Sequence, residues 1–139
     1  MGKTRFILSM LVLAGIGIQF IPVSRTNPPV ESDIAAPPEV QAILRAGCYD
    51  CHSNETVWPW YSRVAPVSWL VSSDTAEARG KFNFSTWNRY PAERQAAIKA
   101  RIIREVGKGD MPPWYYTLKH TGARLDAAQK ALLEAWAKR

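Results

Sequence analysis

The chain has 139 residues, enough for one compact domain with an appendage, and a formal net charge of +6. Its only two cysteines lie three positions apart, which excludes the disulfide framework of a small secreted domain. Apart from Lys3, Arg5 and Arg25 near the amino end, fifteen Lys and Arg stand against twelve Asp and Glu, so the concentrated basic stripe of a nucleic-acid binder is missing.

Residues 6–23 are a nearly uninterrupted apolar run with Gln19 as the strongly polar residue inside it. Eighteen helical residues span about 27 Å, close to the hydrocarbon thickness of a bilayer. A removable signal peptide has a shorter apolar region and ends in a small-x-small cleavage site, and Gln19-Phe20-Ile21-Pro22-Val23 offers none. The expectation is an uncleaved anchor over residues 1–24, with a cleaved signal as the alternative. Met1, Lys3 and Arg5 form a short basic start that favours a cytoplasmic amino terminus and an exported domain. Residues 25–38 hold Pro28, Pro29, Pro37 and Pro38 and read as an extended, semi-rigid spacer holding a domain of residues 39–139 off the membrane.

A helix is expected from residue 39 to Gly47, with Val40, Ile43 and Leu44 on one face and Pro38 in its first turn. Residues 53–66 read as irregular and aromatic, and a second helix as 67–79, stopped by Gly80. Residues 81–90 read as a loop. The clearest helix runs over 91–106, where Ile98, Ile102 and Val106 recur four apart and Arg94, Arg101, Arg104 and Lys108 gather opposite. Lys99 interrupts the apolar arc, as a snorkelling stem or a contact to an anionic group. Two glycines and two prolines break the chain over 107–113. Asp126 and Gln129 form a capping-box pattern for a last helix carrying Leu132, Leu133 and Trp136. No strand alternation is present, so the fold class expected is all-α.

Cys48-Tyr49-Asp50-Cys51-His52 matches C-x-x-C-H, the attachment motif of c-type haem. Two thiols at this spacing can add to the two vinyl groups on one side of a porphyrin, and the adjacent imidazole then reaches the iron. A zinc site needs four ligands, and two cysteines with His52 and His120 at the wrong spacing do not supply them. A thioredoxin-like dithiol wants a βαβ context that is absent. For the second axial position, Met1 and Met10 belong to the apolar segment. Met111 lies in a loop stiffened by Pro112 and Pro113, an unusual place for a core filler. His120, giving a bis-histidine centre, and an open or water-bound position are the alternatives. Trp58, Trp60 and Tyr61 are candidates for lining the pocket; Arg63 and Arg79 read as surface charges, with propionate pairing as the sharper alternative.

The order of helix, C-x-x-C-H, Met-Pro loop and carboxy-terminal helix resembles class I cytochromes c. Cys48-Tyr-Asp-Cys-His-Ser-Asn54, Trp58-Pro-Trp-Tyr61, Ala65-Pro-Val-Ser-Trp69, Asn83-Phe-Ser-Thr-Trp87 and Gly109-Asp-Met-Pro112, with Gln19-Phe-Ile-Pro22 and Arg25-Thr-Asn-Pro28 before them, resemble the bacterial haem-binding domain family. The resemblance implies a cytochrome c-like helical domain around one covalent haem c, with Cys48 and Cys51 attaching it and His52 and Met111 as axial ligands. It implies a single-pass inner-membrane protein with the haem on the periplasmic side. The expected role is electron transfer with redox protein partners in or near the membrane, without enzymatic activity and without nucleic acid. A peroxidase-like haem enzyme with an open distal site and a haem-based redox or ligand sensor are the competing readings.

Overall fold

The structure, a computed structural model, describes residues 2–139. Helix α1 (Gly2–Gly17) continues through a 3-10 turn, Ile18–Phe20; the two together are apolar enough, at a mean hydropathy of 1.3, and long enough to cross a membrane, and none of this segment is buried. Met1, counted in the basic start, lies outside the described residues. Then follow α2 (Pro38–Gly47), α3 (Tyr49–His52), α4 (Val67–Lys81), α5 (Ala92–Lys108), α6 (Trp114–Lys119) and α7 (Ala127–Ala137), with no strand among the described residues. The chain is all-helical, as the absence of alternation implied.

The dry core lies where α2, α5 and α7 meet. Helix α2 opens on Pro38, whose ring pre-sets the helical φ, and buries Val40, Ile43 and Leu44 on one stripe. Helix α5 buries Ile98, Ile102 and Val106, as their spacing required, and stops at Gly109, whose φ of 81° suits glycine. Helix α7 starts with the expected capping box: Asp126 accepts from the Gln129 backbone at 2.8 Å, and Gln129 accepts from the Asp126 backbone at 3.0 Å. Leu133 and Trp136 complete the cluster. The ammonium of Lys99 lies 4.8 Å from the Trp136 ring centre, so its interruption of the apolar arc becomes a cation–π contact.

The secondary structure departs from expectation at three places. Helix α4 runs through Gly80 and ends only where Phe82 turns extended and is buried in the core. Residues 84–89 form 3-10 turns rather than a loop, with Asn83 capping them by accepting from the Ser85 backbone, and Phe84 and Trp87 join the core. Helix α6 was not foreseen, because six residues are too few to establish a period.

Residues 21–37 are extended, as their prolines required, but they do not hold the domain at a distance. They form a strap packed along it. Ile34 is only 4% exposed, and Trp136 donates to Ala35 O. The Glu31 and Ser32 backbones donate to Ser85 O, and Asn54 donates to Pro29 O. Arg25 donates to Ser62 O, and Ser72 donates to Ser24 O. The centre of this arrangement is Arg79 on α4. Its guanidinium donates to Thr26 O and Asn27 Oδ1 on the strap, and to Ser53 O and Thr56 Oγ1 in the loop after His52, all at 2.7–3.0 Å. Arg79 is therefore an internal clamp rather than a surface charge.

Replacing Arg79 by Ala removes four charge-assisted donors at once and leaves partly buried acceptors unmatched. The expected loss is about 3 kcal/mol, read as a lower urea midpoint with an unchanged slope for the full chain in detergent; Arg79→Lys recovers only a minor part, because one ammonium cannot span the fork.

Candidate functional site

The C-x-x-C-H residues fold into a single turn. The backbone N–H groups of Cys51 and His52 both donate to Cys48 O, at 3.2 and 2.8 Å. Asp50, between the cysteines, ties this turn to its surroundings. Its carboxylate accepts from the Val57 backbone at 2.9 Å and from Tyr116 Oη on α6 at 2.8 Å. The loop that follows is held by Thr56, which donates to Asp50 O, and by Asn54 bonded to Asn83.

Beside the turn lies a cavity of about 630 Å³ with largely apolar walls. Cys51 and His52 contribute to one wall, and Val67, Leu70, Val71, Thr75 and Ala78 of α4 to another. Met111 reaches the cavity from the loop between α5 and α6. Two contacts fix that loop. The Asp110 and Met111 backbones donate to Glu105 O in the last turn of α5, and Pro112 packs so closely on Gly47 that a Cβ there would lie 3.1 Å from its Cγ. Gly47 thus serves close approach, immediately before Cys48. Helix α6 follows and bridges the cavity. Tyr115 Oη donates to Asp74 Oδ2 on α4 at 2.8 Å, while Tyr116 holds Asp50 on the motif side.

Burial sets the protonation states. Packing around the sulfurs pushes the thiol of Cys48 up to about 12 and that of Cys51 to about 11, with the carboxylate of Asp50 adding to the second. Both cysteines are free. Desolvation lowers His52 to about 4, against the opposing pull of the Phe82 and Ala78 carbonyls. Its Nδ1 lies 3.3 Å from Phe82 O, so the proton sits on Nδ1 and the lone pair on Nε2. The ring stacks on Phe82 at 3.9 Å with an interplanar angle of 6°. A neutral, oriented imidazole with one nitrogen committed to a carbonyl is the arrangement that metal-ligating histidines use.

Two thiols on one turn, an imidazole so held, a thioether from a separate loop and an apolar cavity of this volume fit a haem. The model of the haem-binding domain family matches residues 13–139. The chain belongs to that family. The match begins inside α1, so this haem-binding domain takes in the end of the apolar helix and the whole strap. No curated protein and no solved structure matches the chain.

The structure brings most of the sequence candidates together. Cys51, His52, Met111, Trp60, Tyr61 and His120 all line the cavity. Cys48 is not among the lining residues; it packs against the core one position from Gly47, which is. Trp58 corrects the expectation: it too is absent from the lining, and its indole donates to Asn27 Oδ1 on the strap at 3.2 Å. Arg63 and Arg79 are likewise not among the lining residues, where the cations are Lys81 and Lys119. His120 is committed to the wall, with Nε2 3.2 Å from Tyr61 Oη and its ring stacked on Tyr116 at 4.1 Å. Sequence reasoning missed Asp50, Asp74, Tyr115 and Tyr116. The one available signal was the run Trp114-Tyr115-Tyr116 directly after Met-Pro-Pro.

In haem-free folded protein at pH 8, alkylation of both cysteines is expected to be slow, since raising a thiol from 9.0 to about 12 cuts its thiolate fraction about a thousandfold. Mass spectrometry of iodoacetamide adducts over time, with and without urea, checks this. Tyr116→Phe is expected to destabilise by about 1–2 kcal/mol, read by thermal unfolding, because Asp50 loses its phenolic donor.

Proposed function

We propose that this haem-binding domain protein is a membrane-anchored monohaem c-type cytochrome that carries electrons on the periplasmic side of the bacterial inner membrane. Cys48 and Cys51 would attach the porphyrin through thioethers, and His52 and Met111 would hold its iron. The observation that carries this reading is that Met111, remote in sequence, lines the same cavity as Cys51 and His52 on a loop fastened to both α5 and α2.

The bound haem supplies a one-electron iron couple. The chain's own residues do the remainder. His52 offers Nε2 because Phe82 O holds the proton on Nδ1. The Pro112–Gly47 packing and the Glu105 carbonyl hold Met111 in place without an ordering step, and a thioether in that position favours a high-potential carrier. The Tyr115–Asp74 and Tyr116–Asp50 bonds keep α6 across the cavity and limit the entry of water. His120 is disfavoured as the distal ligand, because its Nε2 faces Tyr61 Oη. The apolar helix Gly2–Phe20 supports the anchor, and the inclusion of part of it in the family match supports its retention. With His52 and Met111 both committed to the iron, no site would be left for substrate, which favours a carrier that exchanges electrons with redox proteins in or near the membrane over an enzyme.

Full-length protein made with export and haem-attachment machinery is expected to keep its pigment on a denaturing gel; the Cys48→Ala, Cys51→Ala double variant loses it. Oxidised wild type is expected to show the methionine–iron charge-transfer band. Met111→Ala abolishes that band, and so does Gly47→Val, which leaves Met111 intact but displaces Pro112. Absence of the band in wild type, with rapid binding of cyanide, overturns the carrier reading in favour of an open-site haem enzyme or sensor.

A further inference from the structure

Gln19, the polar residue inside the apolar run, has a definite partner. Its side-chain amide meets the backbone of Ala65 on both sides: Nε2 donates to Ala65 O at 3.2 Å, and Oε1 accepts from Ala65 N at 3.0 Å. Nε2 also donates to Gly15 O at 3.0 Å, so the amide is held by the helix it belongs to. The haem-binding domain therefore begins at the last turn of the membrane-length helix, with no free chain between them. The segment that Gln19 grips is unusual in composition. From Glu55 to Asp74 the only charged residue in between is Arg63, and the stretch carries Trp58, Trp60, Tyr61 and Trp69. It also exposes apolar side chains next to the grip: Val64 is 44% exposed and Pro66 is exposed, as are Phe20 and Ile21 beside Gln19, whereas Val67 and Leu70 open onto the cavity.

We infer that the outer side of the segment 57–72, around residues 63–66 where Gln19 locks it to the end of α1, forms a face that rests on the lipid surface. The reasons are position and chemistry together. A segment bonded to the final turn of a spanning helix lies at headgroup level, and aliphatic side chains among aromatic residues, with one arginine and no carboxylate, match the composition of that zone. The same exposed residues would be a liability in open water; their continuity with the apolar helix assigns the bilayer as their partner. This inference rests on the proposed membrane anchor, and it adds that the domain lies against the membrane instead of standing off it.

The test uses the full-length protein in phosphatidylcholine nanodiscs with a lipid-soluble diazirine, followed by light activation and peptide mass spectrometry. Peptides of α1 report the anchor, and peptides covering 57–72 report the resting face. Labelling of both is expected, while α7, whose Leu132 is also exposed, stays unlabelled. Gln19→Ala is expected to lower labelling of 57–72 relative to α1 about fivefold, with unchanged helical circular dichroism. Labelled α1 with unlabelled 57–72 overturns the inference and leaves the anchor standing. Unlabelled α1 overturns the anchor, and the inference with it. Equal labelling of 57–72 in wild type and Gln19→Ala overturns the role assigned to Gln19.

Discussion

The guanidinium of Arg79 gathers four acceptors from two stretches of chain that lie on either side of α2 and the cysteine turn in sequence. Through it, α4 holds the strap and the loop after His52 at the same time. That loop contains Ser53, which donates to Tyr49 O, and Thr56, which donates to Asp50 O, so its position sets the orientation of the turn bearing both cysteines. The face of α4 that carries Val67, Leu70, Val71, Thr75 and Ala78 then becomes a cavity wall. The clamp thus sets the wall and the turn relative to each other from one side, as Tyr115 and Tyr116 on α6 do from the other.

The molecule divides its burial unequally. Helices α2, α5 and α7, with the segment carrying Phe82, Phe84 and Trp87, bury their apolar stripes against one another and need no ligand to do so. The cavity side is different. There α4 faces α6 across the cavity, and the links are phenol–carboxylate bonds from Tyr115 and Tyr116. A macrocycle held in the cavity would supply the apolar contact that these two helices do not make with each other. The suppressed reactivity of the buried thiols has a related meaning. Cysteines whose sulfurs are desolvated are poor nucleophiles, so the attachment proposed for them would belong to a stage before the domain closes.

Where one helix face was apolar and the other charged, the sequence could be read directly. Ile98, Ile102 and Val106 declared α5, and Asp126 with Gln129 declared the start of α7. The cysteine turn and Met111 were legible because their chemistry is carried by residue type and spacing. Helix α4 was harder. Its buried residues are the small Ser68, Thr75 and Ala78, and its larger apolar residues Val67 and Leu70 open onto a cavity, so no apolar–polar contrast marks it along its length. Gly80 misled because a glycine ends a helix only when the chain needs a left-handed residue there, and Phe82 leaves α4 in extended geometry instead. The strap was misread for a related reason. Its prolines report extension truthfully but carry no information about what an extended segment packs against. Arg79, Asn27 and Ile34 supply that, and each looks ordinary in one dimension.

The strap and the Gln19 amide leave no slack between α1 and the cysteine turn. A domain on a loose tether samples all orientations and must find a productive one at every encounter. Here the direction in which the cavity faces is fixed relative to the axis of α1, so rotation about that axis is the main freedom left. For the anchored carrier proposed above, collisions with partners in the same bilayer would then become a search in two dimensions with one angle, and the haem would meet each partner from a constant height. A force drawn along α1 would likewise reach Ser53 and Thr56 through Arg79, with Asn27, which donates to Thr56 O, as a parallel link.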